Sequence, residues 1–169
     1  FFKKQKMTKQ EVKDELKDVE GRPEVRAQIR RKQREMANAR MIEKVKDADV
    51  VITNPEHFSV ALNYEPTSEQ APMLLAKGVD SLALRIRSEA DDQGVQIFES
   101  AALARAIYFT TEIDDPIPED LYYAVAQVIA YVYNLNSTQK HGHGLSKPVP
   151  TVPEAMQFAP DGSRTGNRS

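Results

Sequence analysis

The chain has 169 residues, with 23 Lys and Arg against 25 Asp and Glu, a composition that allows one ordinary domain with appendages. It contains no cysteine, which excludes disulfides, thiolate metal sites and cysteine nucleophiles. The near-neutral total hides two unlike parts, because residues 1–46 carry a net charge of +7 and residues 47–169 carry a net charge of −9.

The first part of the chain has the pattern of a basic helical arm. Residues 1–4, Phe-Phe-Lys-Lys, fit the end of an apolar segment followed by basic residues at the cytoplasmic face of a membrane. An arbitrary boundary also fits, and the two interpretations are compatible. Residues 8–20 predict a charged helix, and Pro23 predicts the start of a second helix that runs to about Val45. A basic helix can bind anionic lipid, nucleic acid or an acidic partner, or simply face solvent.

From Asp49 the pattern changes to short strands and helices. The segments with apolar or alternating strand patterns are 50–53, 58–64, 73–76 and 95–98. Gly78 is predicted to end the third strand. The segments with helical patterns are 81–91, 100–109 and 121–135, the last with an apolar stripe. Strands that alternate with helices predict an α/β fold, with a small central sheet of about four strands surrounded by helices.

Composition divides the chain into three predicted parts. Residues 1–46 form a long basic linker of one or more helices, residues 47–135 form the α/β domain, and residues 136–169 form a flexible tail. His141 and His143 lie in the tail, but two histidines without further ligands nearby do not define a metal site. No metal and no cofactor is therefore predicted.

The Asn54-Pro55 step has restricted chemistry. Proline lacks an N–H, so the usual attack of the following backbone nitrogen on the asparagine side chain is closed. The reverse attack stays open, because the Asn54 amide nitrogen can attack the Asn54 carbonyl, form a cyclic imide and release the nitrogen of Pro55. Proximity lowers such a barrier by roughly 7–11 kcal/mol when the fold holds the attack geometry. His57 and Glu56 are the candidates for moving the proton.

The residues around this step carry a more specific signal, since an isolated Asn-Pro pair is usually an ordinary turn. Residues 48–62, ADVVITNPEHFSVAL, resemble the strand–NPTH–strand segment of the FlhB/YscU/SpaS family of type III export-apparatus proteins, and of its flagellar branch in particular. The similarity continues, in order, through residues 20–25, 34–37, 71–72, 76–78, 82–87, 103–108 and 121–135.

The resemblance implies a flagellar export-gate subunit whose membrane-embedded half precedes this chain. Such proteins cleave themselves once between the residues that correspond to Asn54 and Pro55, and the pieces stay associated. Cleavage permits the switch from rod and hook substrates to filament substrates, in concert with a hook-length ruler protein. The full-length protein would lie in the bacterial inner membrane beside the other membrane and cytoplasmic gate subunits, with this part on the cytoplasmic side.

The resemblance also implies a docking patch for export substrates. Ala71 and Pro72, together with Ala126 and Ile129 on the last predicted helix, match a small apolar patch with that role. From the residues alone, an apolar position on this helix is more often part of the core, and a core position is favoured for Ile129.

One position departs from the family pattern, because Glu56 stands where threonine is usual. Asn54 and Pro55 carry the bond chemistry, so cleavage is expected to survive. Glu56 can change its rate in either direction. Three alternatives stay open: an injectisome type III secretion homologue, a non-cleaving export-docking adaptor and a nucleic-acid-binding module. No nucleic acid is predicted as a partner, since the basic cluster at 30–34 lacks interleaved aromatic residues.

Overall fold

A computed structural model describes residues 22–55, 57–65, 69–138 and 146–165 of the chain. The chain divides into two compact units, Phe1–Arg40 and Met41–Ser169. The helix predicted at residues 8–20 lies outside the described residues. The boundaries drawn from composition, after residues 46 and 135, stay predictions.

Helix α1, Pro23–Glu43, begins at the predicted proline. Its residues in the first unit are almost all exposed, in keeping with their charged composition, and only the last turns carry buried apolar residues. Met41, Ile42 and, in the 3-10 turn that follows, Val45 belong to the core of the second unit. None of the described helices combines the length and the apolar character that crossing a membrane requires.

The second unit is a mixed four-stranded sheet covered by helices. Its elements are β1 (Val50–Asn54), β2 (Phe58–Asn63), β3 (Met73–Val79), α2 (Asp80–Gln93), β4 (Gln96–Glu99), α3 (Ala101–Thr110) and α4 (Tyr122–Thr138). The strand order is β3-β2-β1-β4, with β1 antiparallel to β2 and parallel to β4. This architecture confirms the predicted α/β fold with about four strands.

Strand β1 is central and buried on both faces. Val50 and Ile52 pack in the larger apolar cluster with residues of α3 and α4. Val51 points to the other face and packs in a smaller cluster with Ile86 and other residues of α2. Burial on both faces explains why this strand reads as a continuous apolar run rather than an alternating one.

The predicted end of the third strand at Gly78 is wrong, because β3 continues through Gly78 to Val79. A Cβ added at Gly78 would lie 2.6 Å from Cγ of Leu82 in α2. The glycine therefore lets α2 approach β3 closely and does not break the strand.

Residues 152–164, which we call the C-terminal clasp, contribute two buried side chains to the second unit. Val152 is 6% exposed and Phe158 is 7% exposed. Phe158 and Arg164 form an isolated antiparallel bridge. Gly162, with a φ of 90°, lies in the turn between them. The low apolar content of the last part of the chain does not reveal these contacts.

Candidate functional site

Asn54 is the last residue of β1, at a tight connection to β2. In the antiparallel register Asn54 pairs with Phe58, so the connection consists of residues 55–57. The backbone N–H of His57 donates to the carbonyl oxygen of Asn54, with an N···O distance of 3.0 Å. This carbonyl belongs to the peptide bond between Asn54 and Pro55. The turn therefore aims a donor at the oxygen on which negative charge would build up during attack.

Asn54 is polar but largely buried, with 8% of its surface exposed. Because side chains alternate along a strand, Asn54 lies on the same face as Ile52, the face that packs against α3 and α4. Its cross-strand partner Phe58 is 4% exposed. Burial restricts the rotamers of the Asn54 amide and its contact with water, as an intramolecular attack requires.

The connection is tied to two helices by backbone hydrogen bonds. The N–H of Ser100, the residue before α3, donates to the Thr53 carbonyl with an N···O distance of 2.9 Å. The N–H of Asp80, the first residue of α2, donates to the His57 carbonyl at 3.0 Å. These bonds hold the backbone on both sides of the Asn-Pro step, and no local pattern in the sequence predicts either one.

The imidazole of His57 faces a carboxylate. Nδ1 of His57 lies 3.8 Å from Oδ1 of Asp80, and both side chains are exposed, by 59% and 79%. A contact this exposed contributes little to stability. Because the ring is exposed, water and protons can reach it. Glu56, the other predicted proton carrier, lies outside the described residues.

An aromatic cluster packs against the end of the connection. The rings of Phe58, Tyr108 and Phe109 contact one another edge to face, with centroid distances of 5.0 to 5.5 Å. A groove of about 390 Å³ opens beside them, and its walls also include His57 and Asp80. The cluster joins the start of β2 to the end of α3.

Lys77 fixes the end of α3 next to this cluster. Its Nζ donates to the carbonyl oxygens of Tyr108 at 3.0 Å and Thr111 at 2.8 Å. The ammonium group also lies 4.8 Å from the centroid of the Tyr108 ring. The cation thus satisfies carbonyl groups at a helix C-terminus, where positive charge is favourable.

The residues predicted to dock export substrates separate into two groups. Ala71, Pro72 and Ala126 line one groove of about 220 Å³, whose walls also include Tyr64 and Tyr122. Ile129 is 3% exposed and belongs to the main apolar cluster. Neither tyrosine stood out in the sequence, because nothing local shows that the start of β3 lies beside α4.

No metal centre is found in the part of the chain that the structure describes, where no group of three or more His, Asp or Glu side chains is suitably placed. His141 and His143 fall outside that part.

Comparisons with known proteins agree on one family. The model of the FlhB HrpN YscU SpaS Family matches residues 1–132. The flagellar biosynthetic protein FlhB of Yersinia enterocolitica is 46% identical over 167 residues, which is 97% of this chain and 43% of that protein. FlhB of Bacillus subtilis strain 168 is 47% identical over 133 residues, which is 79% of this chain and 37% of that protein.

A solved structure agrees with the sequence comparisons. The crystal structure of the cytoplasmic domain of FlhB from Shewanella putrefaciens superposes with a TM-score of 0.66 at 41% identity. The match covers 72% of this chain and 95% of that domain. The chain thus spans less than half the length of the two curated relatives.

Proposed function

The chain belongs to the FlhB HrpN YscU SpaS family, and from this membership we propose that it is the cytoplasmic part of a flagellar type III export-gate component that cleaves itself between Asn54 and Pro55. The curated relatives are more than twice as long as the part that matches, which leaves room for the membrane-embedded half that the family resemblance implies. We therefore place the whole protein in the inner membrane as part of this proposal. The relatives that carry the flagellar name favour this function over an injectisome homologue.

One observation carries the proposed cleavage: the carbonyl of Asn54 accepts a hydrogen bond from the backbone N–H of His57 at 3.0 Å. That donor stabilises the oxyanion of the tetrahedral intermediate without any motion at the moment of attack. A donor of this kind is commonly worth about 100-fold or more in rate. The burial of Asn54 at the end of a central strand adds a fixed position for the attacking group.

The proposed reaction balances without a cofactor or an external reactant other than water. The Asn54 Nδ2 forms a bond to the backbone carbonyl carbon of Asn54 and loses one proton. The bond from that carbon to the Pro55 nitrogen then breaks, and the nitrogen takes up a proton and leaves as a secondary amine. Water later opens the cyclic imide at the new C-terminus.

His57 and Asp80 have separate roles in this proposal. The His57 imidazole takes the proton from the attacking amide and returns one to the Pro55 nitrogen, with solvent able to exchange protons on the exposed ring. The Asp80 carboxylate, 3.8 Å from Nδ1, faces the ring and helps to orient it. Glu56 is a second carrier in the same connection.

The proposal extends to the export machine. The groove at Ala71, Pro72 and Ala126 is the proposed dock for rod, hook and filament substrates, whereas Ile129 is buried in the core. Cleavage would permit the switch from rod and hook to filament substrates, with a hook-length ruler and the other gate subunits as partners. The alternative of a non-cleaving adaptor keeps the dock and omits the cleavage.

An intact-mass time course tests the cleavage. The purified chain is expected to yield a 54-residue piece and a 115-residue piece. An early form of the 54-residue piece should be lighter by one water, the mark of the cyclic imide. Asn54→Ala should stay whole, whereas Asn63→Ala, a change at another asparagine near a strand end, should still split. A wild-type chain that stays whole after long incubation contradicts the proposal.

A further inference from the structure

We propose that the C-terminal clasp positions Asn54 for cleavage through a row of three aromatic rings. Phe158 is the residue of the clasp that contacts the other two rings, through Phe109. The inference rests on the proposed self-cleavage and adds a positioning role for the clasp, which lies about a hundred residues further along the chain. The row consists of Phe158 in the clasp, Phe109 in α3 and Phe58 in β2.

The rings contact one another in sequence. The centroids of Phe158 and Phe109 are 5.5 Å apart, and those of Phe109 and Phe58 are also 5.5 Å apart. Phe58 is the cross-strand partner of Asn54, so the two side chains lie next to each other on one face of the sheet. Each step is a packed contact within the distance range of interacting aromatic pairs.

Phe158 is held from several sides. It is 7% exposed, and its carbonyl oxygen accepts a hydrogen bond from Nε of Arg105 at 2.7 Å. The guanidinium carbon of Arg164 lies 5.7 Å from the ring centroid. The N–H of Ala159 donates to the Ser163 carbonyl at 2.8 Å, which closes the turn of the clasp. The clasp thus has a fixed shape where it meets α3.

The turn of the clasp presses directly on the second ring. A Cβ added at Gly162 would lie 3.0 Å from Cε1 of Phe109, so any larger residue would require the ring or the turn to shift by a few tenths of an ångström. Gly162 also has a φ of 90°, a conformation that side chains other than glycine rarely adopt. Pro160 of the same turn lines the groove that contains His57. The clasp therefore touches both Phe109 and the surroundings of the cleavage connection.

The direction of the effect follows from side-chain freedom. Without Phe158, the rings of Phe109 and Phe58 gain rotamers. The Asn54 side chain then loses part of the packing that restricts its own rotamers. An intramolecular attack slows when the reacting groups spend less time in the attack geometry. The clasp is therefore expected to act on the rate of cleavage. All three rings lie in the 115-residue piece.

The cleavage rate is the first test. Phe158→Ala is expected to slow the appearance of the two pieces about two- to tenfold, the range set by the loss of one aromatic pair. Phe158→Leu, which keeps most of the apolar volume, should restore most of the rate. Val149→Ala changes an 88% exposed side chain just before the clasp and should have no effect. An unchanged rate in Phe158→Ala overturns the inference.

Amide hydrogen exchange is the second test, in the Asn54→Ala background that cannot cleave. Phe158→Ala is expected to speed exchange of the His57 and Asp80 amides about two- to tenfold, since both bonds hold the connection. The amides of β1 should keep their protection, which separates local positioning from general destabilisation. Phe158→Leu should keep the exchange of both amides near the wild-type rate, and a loss of protection in β1 as large as that at His57 and Asp80 contradicts local positioning.

The two tests separate the inference from the proposed function. A wild-type chain that never splits defeats the self-cleavage, whereas the exchange test still decides whether the clasp positions the connection. Unchanged exchange at both amides in Phe158→Ala overturns the coupling even if the wild-type chain cleaves. Faster local exchange together with slower cleavage supports it.

Discussion

The backbone N–H of His57 donates to the carbonyl oxygen of Asn54 across 3.0 Å. In the proposed cleavage His57 therefore has two separable roles, one through a main-chain donor that every residue except proline supplies and one through an imidazole that faces Asp80. Substitutions at this position can remove the ring and keep the donor.

His57→Ala is expected to slow cleavage by roughly 100-fold, at the low end of the usual contribution of a general acid–base catalyst. The loss is at the low end because the position is exposed, so water can partly replace the missing ring. Added imidazole should recover part of the rate. His57→Pro removes the backbone donor as well and should stop cleavage. Intact-mass time courses measure all three, and equal rates for His57→Ala and wild type would rule out proton transfer by the ring.

Lys77→Met is expected to destabilise the domain by about 1–3 kcal/mol, because the carbonyl groups of Tyr108 and Thr111 lose a charged donor in a partly buried place. Methionine keeps the length of the side chain. Lys44→Met, which breaks a more exposed pair with Asp114, should cost at most about 1 kcal/mol. Urea unfolding of the two variants compares them, and similar costs would contradict the assigned role of Lys77.

Tyr133 predicts an alkaline dependence of stability. Burial, together with the hydrogen bond to Asp49 at 2.8 Å, raises the pKa of Tyr133 above its usual value of 10.0. The folded state thus holds the phenolic proton more tightly than the unfolded state. This contribution is complete below pH 10 and is lost as the pH rises through the higher folded-state pKa.

Tyr133→Phe should make the loss of stability above pH 10 less steep. At neutral pH it should lower the free energy of unfolding by about 1 kcal/mol, because the substitution removes the hydrogen bond to Asp49. Tyr123→Phe, at a more exposed position on the same helix, is the matched control. Urea unfolding at a series of pH values gives the comparison. A Tyr133→Phe profile as steep as that of wild type would contradict this assignment.

Ala126→Asp is expected to weaken binding of export substrates about tenfold or more, because a charge would be desolvated in the proposed groove. The fold should be unaffected, since Ala126 is exposed. Ala130→Asp places the same charge on the exposed side of the same helix and serves as the control. Binding of purified rod or hook subunits to each variant measures the effect, and equal losses would place the dock elsewhere.

Most elements of the fold could be predicted because their signals are local. The β-branched run of β1, the proline that begins α1 and the 4-3-4-3 stripe of α4 each require only neighbouring residues. Gly78 misled the prediction, since a glycine that permits close packing and a glycine that ends a strand look alike in sequence. The Asn-Pro step was visible for the same local reason, as its chemistry depends on two adjacent residues.

The sequence by itself determined most of the strand and helix pattern, the Asn54-Pro55 bond as the candidate for cleavage and the resemblance to a family. Only the tertiary structure decided what surrounds that bond: the ties from Ser100 and Asp80, and the ring of Phe58 beside Asn54. These contacts join residues far apart in the chain, and their energies depend on distances that no local pattern encodes. Packing at a few ångströms therefore decides whether a reactive dipeptide is also held in a reactive geometry.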